Sequence, residues 1–300
     1  MKQTELISIN GRILPAEDAK ISVFDRGFLY GDAVYEVCRS YDRIFFEAEA
    51  HLQRLFRSAE AIAMDLKTSP EEYLREIYRV YSHSKNPRVY MRIQVTRGEG
   101  HIGLHPNTVV RGPNVVIWIR NLEEIPEEYY SKGLRVVTTD RIRNPKRALD
   151  PNVKSGNYLN NVLGYFEAAK KGVNDAIMVN DRGELAEATL SNVFIVRGGK
   201  VVDMPDTGDL LHGITRGVVG HLCRSNGIGF EKRAVSVGEL EAADEAFLTS
   251  TLREVMPITE VNGKRIGSGL PGSVTTRLGV LFKEYVESYV QQAMKRHPVS

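Results

Sequence analysis

From Asn121 to Gly133 the chain reads NLEEIPEEYYSKG, polar throughout and broken by a proline. Such a stretch buries little and interrupts regular structure, so residues 121–133 read as a linker. On either side lie residues 1–120 and 134–300, and a 300-residue chain exceeds what one hydrophobic core usually holds. Two domains, each with its own core, are the expectation.

Both parts mix strand and helix periods. Residues 5–24 alternate apolar and polar around the turn NGR, and RIFF follows a second polar turn, the pattern of antiparallel strands. EAHLQRLFRSAEAIAMDL repeats Leu52, Leu55, Phe56, Ala59 and Ala63 at helical spacing. SPEEYLREIYRVYSHS opens on Ser69 as N-cap with Pro70 at the first helical position. The strands RVYMRIQVTRG and NVVIWIR complete this first α+β unit. Beyond the linker come the strand LRVVTTD, a lysine-bearing turn with its helix, and the strands DAIMVN and SNVFIVRGGKVVDM. The turn HGITR leads into a helix over GVVGHLCRSNG, EAFLTSTLREVMPITEVNGKRI reads as strands and turns, and an amphipathic helix spans about 273–294. The fold class is α+β, with the second sheet closed or strongly curled.

Composition narrows the function. A formal net charge of +2, with the basic residues scattered, gives no reason to expect nucleic acid or an anionic membrane as partner. The only cysteines, Cys38 and Cys223, lie far apart and outside any metal-ligand spacing, so neither a disulfide framework nor a metal site is suggested. No apolar h-region opens the chain and no window reaches the roughly 18 apolar residues of a membrane span, so a cytoplasmic protein is expected.

Five features carry chemistry. Lys154, in a Ser-Gly turn at a helix start, sits where the helix dipole disfavours its charged form. It is either an exposed turn lysine or an amine kept nucleophilic for a carbonyl. In LHGITR, Leu211–Arg216, a glycine before Ile214 and Thr215 offers free N–H groups and a hydroxyl to an anion, or Thr215 is a plain N-cap. TST, Thr249–Thr251, is a hydroxyl-rich strand end that would suit the same anion. Glu187, among the small and apolar residues of LAEATLSNVF, needs a cationic partner if it stays ionised there, or it is a solvated turn residue. Arg54 interrupts the apolar helical face of Leu52, Leu55 and Phe56, which suits either a surface position or a buried anion.

Taken in order, FDRGFLYGDAVYEVCRSY, HLQRL, KSGNYLNNVL, ELAEATLSNVF, HGITR and TSTLREVMPI resemble the motif series of the fold-type IV, or class IV, pyridoxal phosphate aminotransferases. That family holds branched-chain and D-amino acid aminotransferases, (R)-selective amine transaminases and aminodeoxychorismate lyase. The resemblance covers about residues 5–290, with 33 positions separating Lys154 from Glu187. It implies a small N-terminal α/β sandwich domain and a larger C-terminal domain with a pseudo-barrel sheet. It further implies that Lys154 is the Schiff-base lysine, that Glu187 meets the pyridine nitrogen, and that Tyr158 meets the ring's phenolic oxygen. Arg54, Ile214, Thr215 and Thr251 would hold the phosphate, and Leu211 would pack on the ring face. A homodimer or larger assembly is implied, with FDRGFLYGD as the crossing segment.

The substrate signals diverge. TRGEGHIGLHP is similar to the glycine-rich loop of branched-chain enzymes, with His101 and His105 at positions usually acidic or amide, and it lacks an Arg-x-His carboxylate trap. Val37 in YEVCR and the Leu252-Arg253 pair in TSTLREV depart from the branched-chain pattern. Tyr30, Tyr35, Arg39, Tyr90, Arg92 and Leu252 are the pocket candidates, Arg39 and Arg92 as carboxylate binders, unless Arg92 pairs with an acidic neighbour on its strand. The expected activity moves an amino group between an aliphatic L-amino acid and 2-oxoglutarate. The alternatives are a D-amino acid or (R)-amine transaminase, aminodeoxychorismate lyase, and a non-catalytic binding protein.

Overall fold

The computed structural model describes residues 5–206 and 209–296, which separate into two compact units. The first contains residues 5–123, 153–157 and 289–296; the second contains 124–152, 158–206 and 209–288.

In the first unit, the strands are β1 (Leu6–Ile9), β2 (Arg12–Leu14), β3 (Ala33–Tyr41), β4 (Ile44–Phe45), β5 (Val89–Thr96), β6 (Glu99–Gly100), β7 (Val109–Arg111) and β8 (Asn114–Asn121). The helices are α1 (Arg26–Tyr30), α2 (Ala48–Ala61) and α3 (Pro70–Tyr81). Six strands form one sheet in the order β2-β1-β8-β5-β3-β4. Alternation along β3 and β5 sends Val34, Cys38, Met91 and Ile93 to one face, where they pack with Leu52, Leu55 and Ala59 of α2 and Ile77 and Val80 of α3. The opposite face carries Tyr35, Val37 and Arg39 in register with Gln94, Arg92 and Tyr90. Ser69 and Glu72 close a capping box on α3, with Pro70 at its start.

The second unit contains α4 (Glu127–Lys132), β9 (Leu134–Ile142), α5 (Leu159–Lys170), β10 (Asp175–Val179), β11 (Leu185–Ala188), β12 (Asn192–Arg197), β13 (Lys200–Asp203), α6 (Ile214–Ser225), β14 (Phe230–Lys232), α7 (Val237–Glu241), β15 (Glu245–Ser250), β16 (Glu254–Val261) and β17 (Lys264–Arg265). The last helix, α8 (Ser273–Arg296), contributes its residues up to 288. The order β11-β10-β9-β16-β15-β12 returns on itself because β11 also pairs β12 through Glu187 and Asn192. Six strands thus close into a barrel around Val136, Ile177, Leu185, Val193, Ile195, Leu248 and Met256. The curled second sheet expected from the sequence is present.

Three local expectations change. Past Pro15 the alternating segment forms a single 3₁₀ turn and no strand, and Ile21, Val23 and Phe24 are exposed. Residues 121–133 are not a bare connection: β8 runs to Asn121, and α4 lies against its unit's core through half-buried Tyr129 and Tyr130. The helix read over GVVGHLCRSNG begins three residues earlier, at Ile214.

Candidate active site

Lys154 is not at the mouth of a helix. It stands five residues before α5, beyond the first turn within which a helix dipole acts, so the electrostatic reason drawn from the sequence does not hold. Its position comes from hydrogen bonds within the first unit. The Lys154 N–H donates to Ser58 Oγ of α2 at 3.1 Å, and its carbonyl accepts from the Tyr35 N–H of β3 at 2.9 Å. Ser155 bridges Val34, and the Gly156 N–H donates to the Ala33 carbonyl at 2.7 Å. The lysine segment is therefore held alongside β3 by an isolated bridge and its flanking hydrogen bonds. Its Nζ lies 4.5 Å from the centroid of the Tyr35 ring, a face that attracts a cation. Gly31, left-handed at the end of α1, leaves room for Asn157, whose amide donates to the Gly31 carbonyl at 3.0 Å.

Arg54 is buried, not a surface residue. Its Nε and Nη2 donate to Glu36 Oε1 and Oε2 at 2.6 and 2.8 Å, and His51 Nδ1 lies 2.7 Å from Oε2. Burial alone would raise the Glu36 carboxyl, but the guanidinium and imidazole outweigh it and hold the group well below the usual carboxylate range. The same burial holds His51 below its ordinary value of 6.5, against the opposing pull of Glu36.

On the sheet face away from the helices, the Arg92 guanidinium sits 3.8 Å from the Tyr35 ring centroid, and its Nε and Nη2 donate to Gln94 Oε1 at 3.1 and 2.8 Å. These partners are neutral. The acidic strand neighbour weighed for Arg92 is a glutamine, so this charge is solvated by an aromatic face and an amide. Arg39 is buried with its guanidinium 4.4 Å from the Tyr41 ring, directly across from Tyr90. Tyr90 meets Trp118 edge to face. Tyr30 stands apart from this cluster: its hydroxyl accepts from the Gly103 N–H at 3.2 Å and its ring lies under Arg26. Arg26 and Arg97 both bond Asp32, which makes FDRGFLYGD a clamp on the 99–111 segment. His101 and His105 are exposed, and His105 Nδ1 accepts from the Asn107 N–H.

In the second unit Glu187 is buried and has the cationic partner that its surroundings demand. Arg143 Nε donates to Oε1 at 2.7 Å; the Leu211 N–H and Asn192 Nδ2 donate to Oε2 at 3.0 and 3.4 Å. Glu187 and Leu211 are thus brought together. Tyr158 precedes α5, and its hydroxyl donates to the Thr189 carbonyl at 3.1 Å. Ile214 and Thr215 open α6, whose N-cap, Gly213, supplies no side-chain cap. A Cβ there would collide with Asn192 Oδ1. Thr251 and Leu252 form the turn after β15, and Arg253 of the same turn pairs with Asp175.

Whether this unit suits an anionic aromatic group is answered by its donors. An uncapped helix start with a buried threonine at its second position offers N–H and O–H to a phosphate. Thr249 Oγ1 is a buried hydroxyl without a partner among the described residues, on the strand end leading to Thr251, and Glu187 is a buried carboxylate of the charge that a ring cation would need. These residues fit a phosphorylated pyridine.

Glu36, His51, Ser58, Arg143 and Asp175 are the participants sequence reasoning missed. A glutamate at the centre of an apolar strand, VYEVC, was the available signal for Glu36.

The family described as amino-transferase class IV matches residues 33–261. A putative branched-chain-amino-acid aminotransferase of Methanocaldococcus jannaschii is 36% identical over 93% of this chain and 95% of its own length. A D-alanine aminotransferase of Bacillus licheniformis is 35% identical over 90% of this chain and 93% of its own. Among solved structures, the branched-chain amino acid aminotransferase from Thermobaculum terrenum in its PLP-form superposes with a TM-score of 0.85 at 30% identity, covering 95% of this chain and 95% of that one.

Proposed function

The chain belongs to the class IV aminotransferases, and from that premise we propose that it moves an amino group between an aliphatic, branched-chain-type L-amino acid and 2-oxoglutarate. It is a transaminase dependent on pyridoxal 5'-phosphate. The observation that carries the substrate reading is Arg92, a guanidinium with only neutral partners among the described residues, set among Tyr35, Val37, Tyr90 and Trp118 on one sheet face. That surface suits a carboxylate attached to an apolar side chain.

When bound, the cofactor supplies an aldehyde and a pyridinium ring that accepts electron density. The Lys154 amine would be the covalent anchor for that aldehyde and, when free, the base that takes the proton from the substrate Cα and the acid that delivers it to the carbon of the former aldehyde. The Glu187 carboxylate holds the ring nitrogen protonated, and Arg143 and the Leu211 N–H fix its orientation. Tyr158 hydrogen bonds the ring oxygen. Arg54, the Ile214 N–H, Thr215 and Thr251 hold the phosphate, and Leu211 packs on the ring. Tyr30, Tyr35, Arg39, Tyr90, Arg92 and Leu252 serve the substrate, with Tyr30 acting through the 99–111 segment it holds.

A D-amino acid or (R)-amine transaminase is the second reading, favoured by Val37 opposite Arg92 and by the similarity to the B. licheniformis enzyme. A homodimer is supported by the exposed Phe28, Ile102 and Leu104, at 65%, 78% and 77% exposure, and a cytoplasmic location by two free cysteines. Half-reaction spectra with L-leucine, D-alanine and an (R)-amine test the substrate reading. Conversion by L-leucine alone supports it, and conversion by D-alanine but not L-leucine replaces it with the second.

A further inference from the structure

We infer that Asp175 is a positioning residue acting on two parts of the site at once: the hydroxyl of Tyr158, through Thr189, and the turn of Thr251, through Arg253. The inference rests on the proposed roles of Tyr158 and Thr251 toward the cofactor.

Asp175 opens β10 and is fully buried, so its charge must be compensated within the protein. Each oxygen has its own task. Oδ1 accepts from Thr189 Oγ1 at 2.5 Å, from the Ala176 N–H at 2.8 Å and from the Thr189 N–H at 3.3 Å. Oδ2 accepts from Arg253 Nη1, which also reaches Ser191 Oγ at 3.3 Å. One carboxylate thus ties the turn after β15 to the residues that follow β11.

Thr189, held from its hydroxyl and amide sides, presents its carbonyl to two donors, Tyr158 Oη at 3.1 Å and Asn161 Nδ2 at 2.8 Å. A phenol has one proton to donate. Because Asn161 also satisfies the Thr189 carbonyl, Tyr158 can turn its proton to another acceptor without stranding a buried oxygen. Thr189 and Asn161 thereby set the place and the freedom of that hydroxyl, and Asp175 sets Thr189. The arginine at 253, where the sequence departs from small residues, serves the same carboxylate, so it is a brace of the turn rather than a ligand for substrate.

The experiment uses the full chain loaded with pyridoxal 5'-phosphate and records the pH midpoint of the bound cofactor's visible absorption. D175N replaces the ionised acceptor of Thr189 with a weaker, neutral one and removes the charge that holds Arg253. A looser Tyr158 stabilises the deprotonated ring oxygen less, so the midpoint rises by about half a pH unit, the scale of one weakened hydrogen bond. In the Y158F background the same substitution adds no shift. T189V, which removes only the Thr189 hydroxyl, raises the midpoint as well, T189S restores it, and R253M weakens the affinity for pyridoxal 5'-phosphate several-fold. Should D175N fail to fold, T189V and T189S decide. An unmoved midpoint in folded, coloured D175N or T189V overturns the inference, as does a D175N shift that persists undiminished in Y158F. Wild-type protein with no visible band would sink the reading beneath it, and that outcome is distinct from a band with an unmoved midpoint.

Discussion

The Tyr35 N–H donates to the Lys154 carbonyl at 2.9 Å while the Tyr35 ring lies 4.5 Å from the Lys154 Nζ, so one residue of β3 sets both the backbone and the amine of the lysine. Ser58 fixes the other side of the same residue. S58A removes that bond at a net cost of about 1 kcal/mol, lowering Tm by roughly 2–4 °C. It also slows covalent attachment of the cofactor. Stopped-flow binding checks this, and an attachment rate equal to wild type contradicts it.

Arg92 should be separable from stability. Its partners are Gln94 and a ring, so R92M strands no buried carboxylate and leaves Tm nearly unchanged. Losing the charged hydrogen bond proposed to the substrate carboxylate, worth ~1.5–3 kcal/mol, raises KM for the oxo acid about 10–100-fold. Steady-state kinetics with 2-oxoglutarate read this directly.

Glu187 behaves in the opposite way. E187Q leaves Arg143 buried without its carboxylate, at a cost of about 3–5 kcal/mol, and removes the anion proposed for the ring nitrogen. Denaturant unfolding should show the loss of stability, and turnover should fall at least ~100-fold. A stable, active E187Q would contradict both roles.

Acid should loosen the first unit in two stages. In the folded protein His51 and Glu36 both titrate below their ordinary values of 6.5 and 4.5, so on acidification the unfolded chain binds protons that the folded chain refuses. The stability these groups contribute is complete above 6.5 and is lost as pH falls, first through His51 and then through Glu36. H51Q should flatten the dependence of the urea midpoint just below pH 6.5. An unchanged slope would show that His51 does not carry it.

Much of this was legible because period and caps are local. Ser69 and Pro70 announce α3, and alternation in VYMRIQV announces β5. What lay hidden depends on pairings distant in sequence. Closure of the barrel rests on Glu187 opposite Asn192, whose turn gives no sign of ring closure. The setting of Lys154 comes from β3 and α2, about a hundred residues earlier, so local sequence suggested a helix dipole where distant hydrogen bonds do the holding. The pairing of Glu36 with Arg54 is not legible in the sequence, because a strand pattern says which face a side chain takes and not what a helix brings to it.

The covalent role proposed for Lys154 can be measured in one step. Load the protein with pyridoxal 5'-phosphate, reduce it with borohydride, and map the modified peptide by mass spectrometry. The cofactor should appear on Lys154 in wild type and on no residue of K154A, whose turnover is lost. Label on another lysine, or undiminished turnover in K154A, would contradict it.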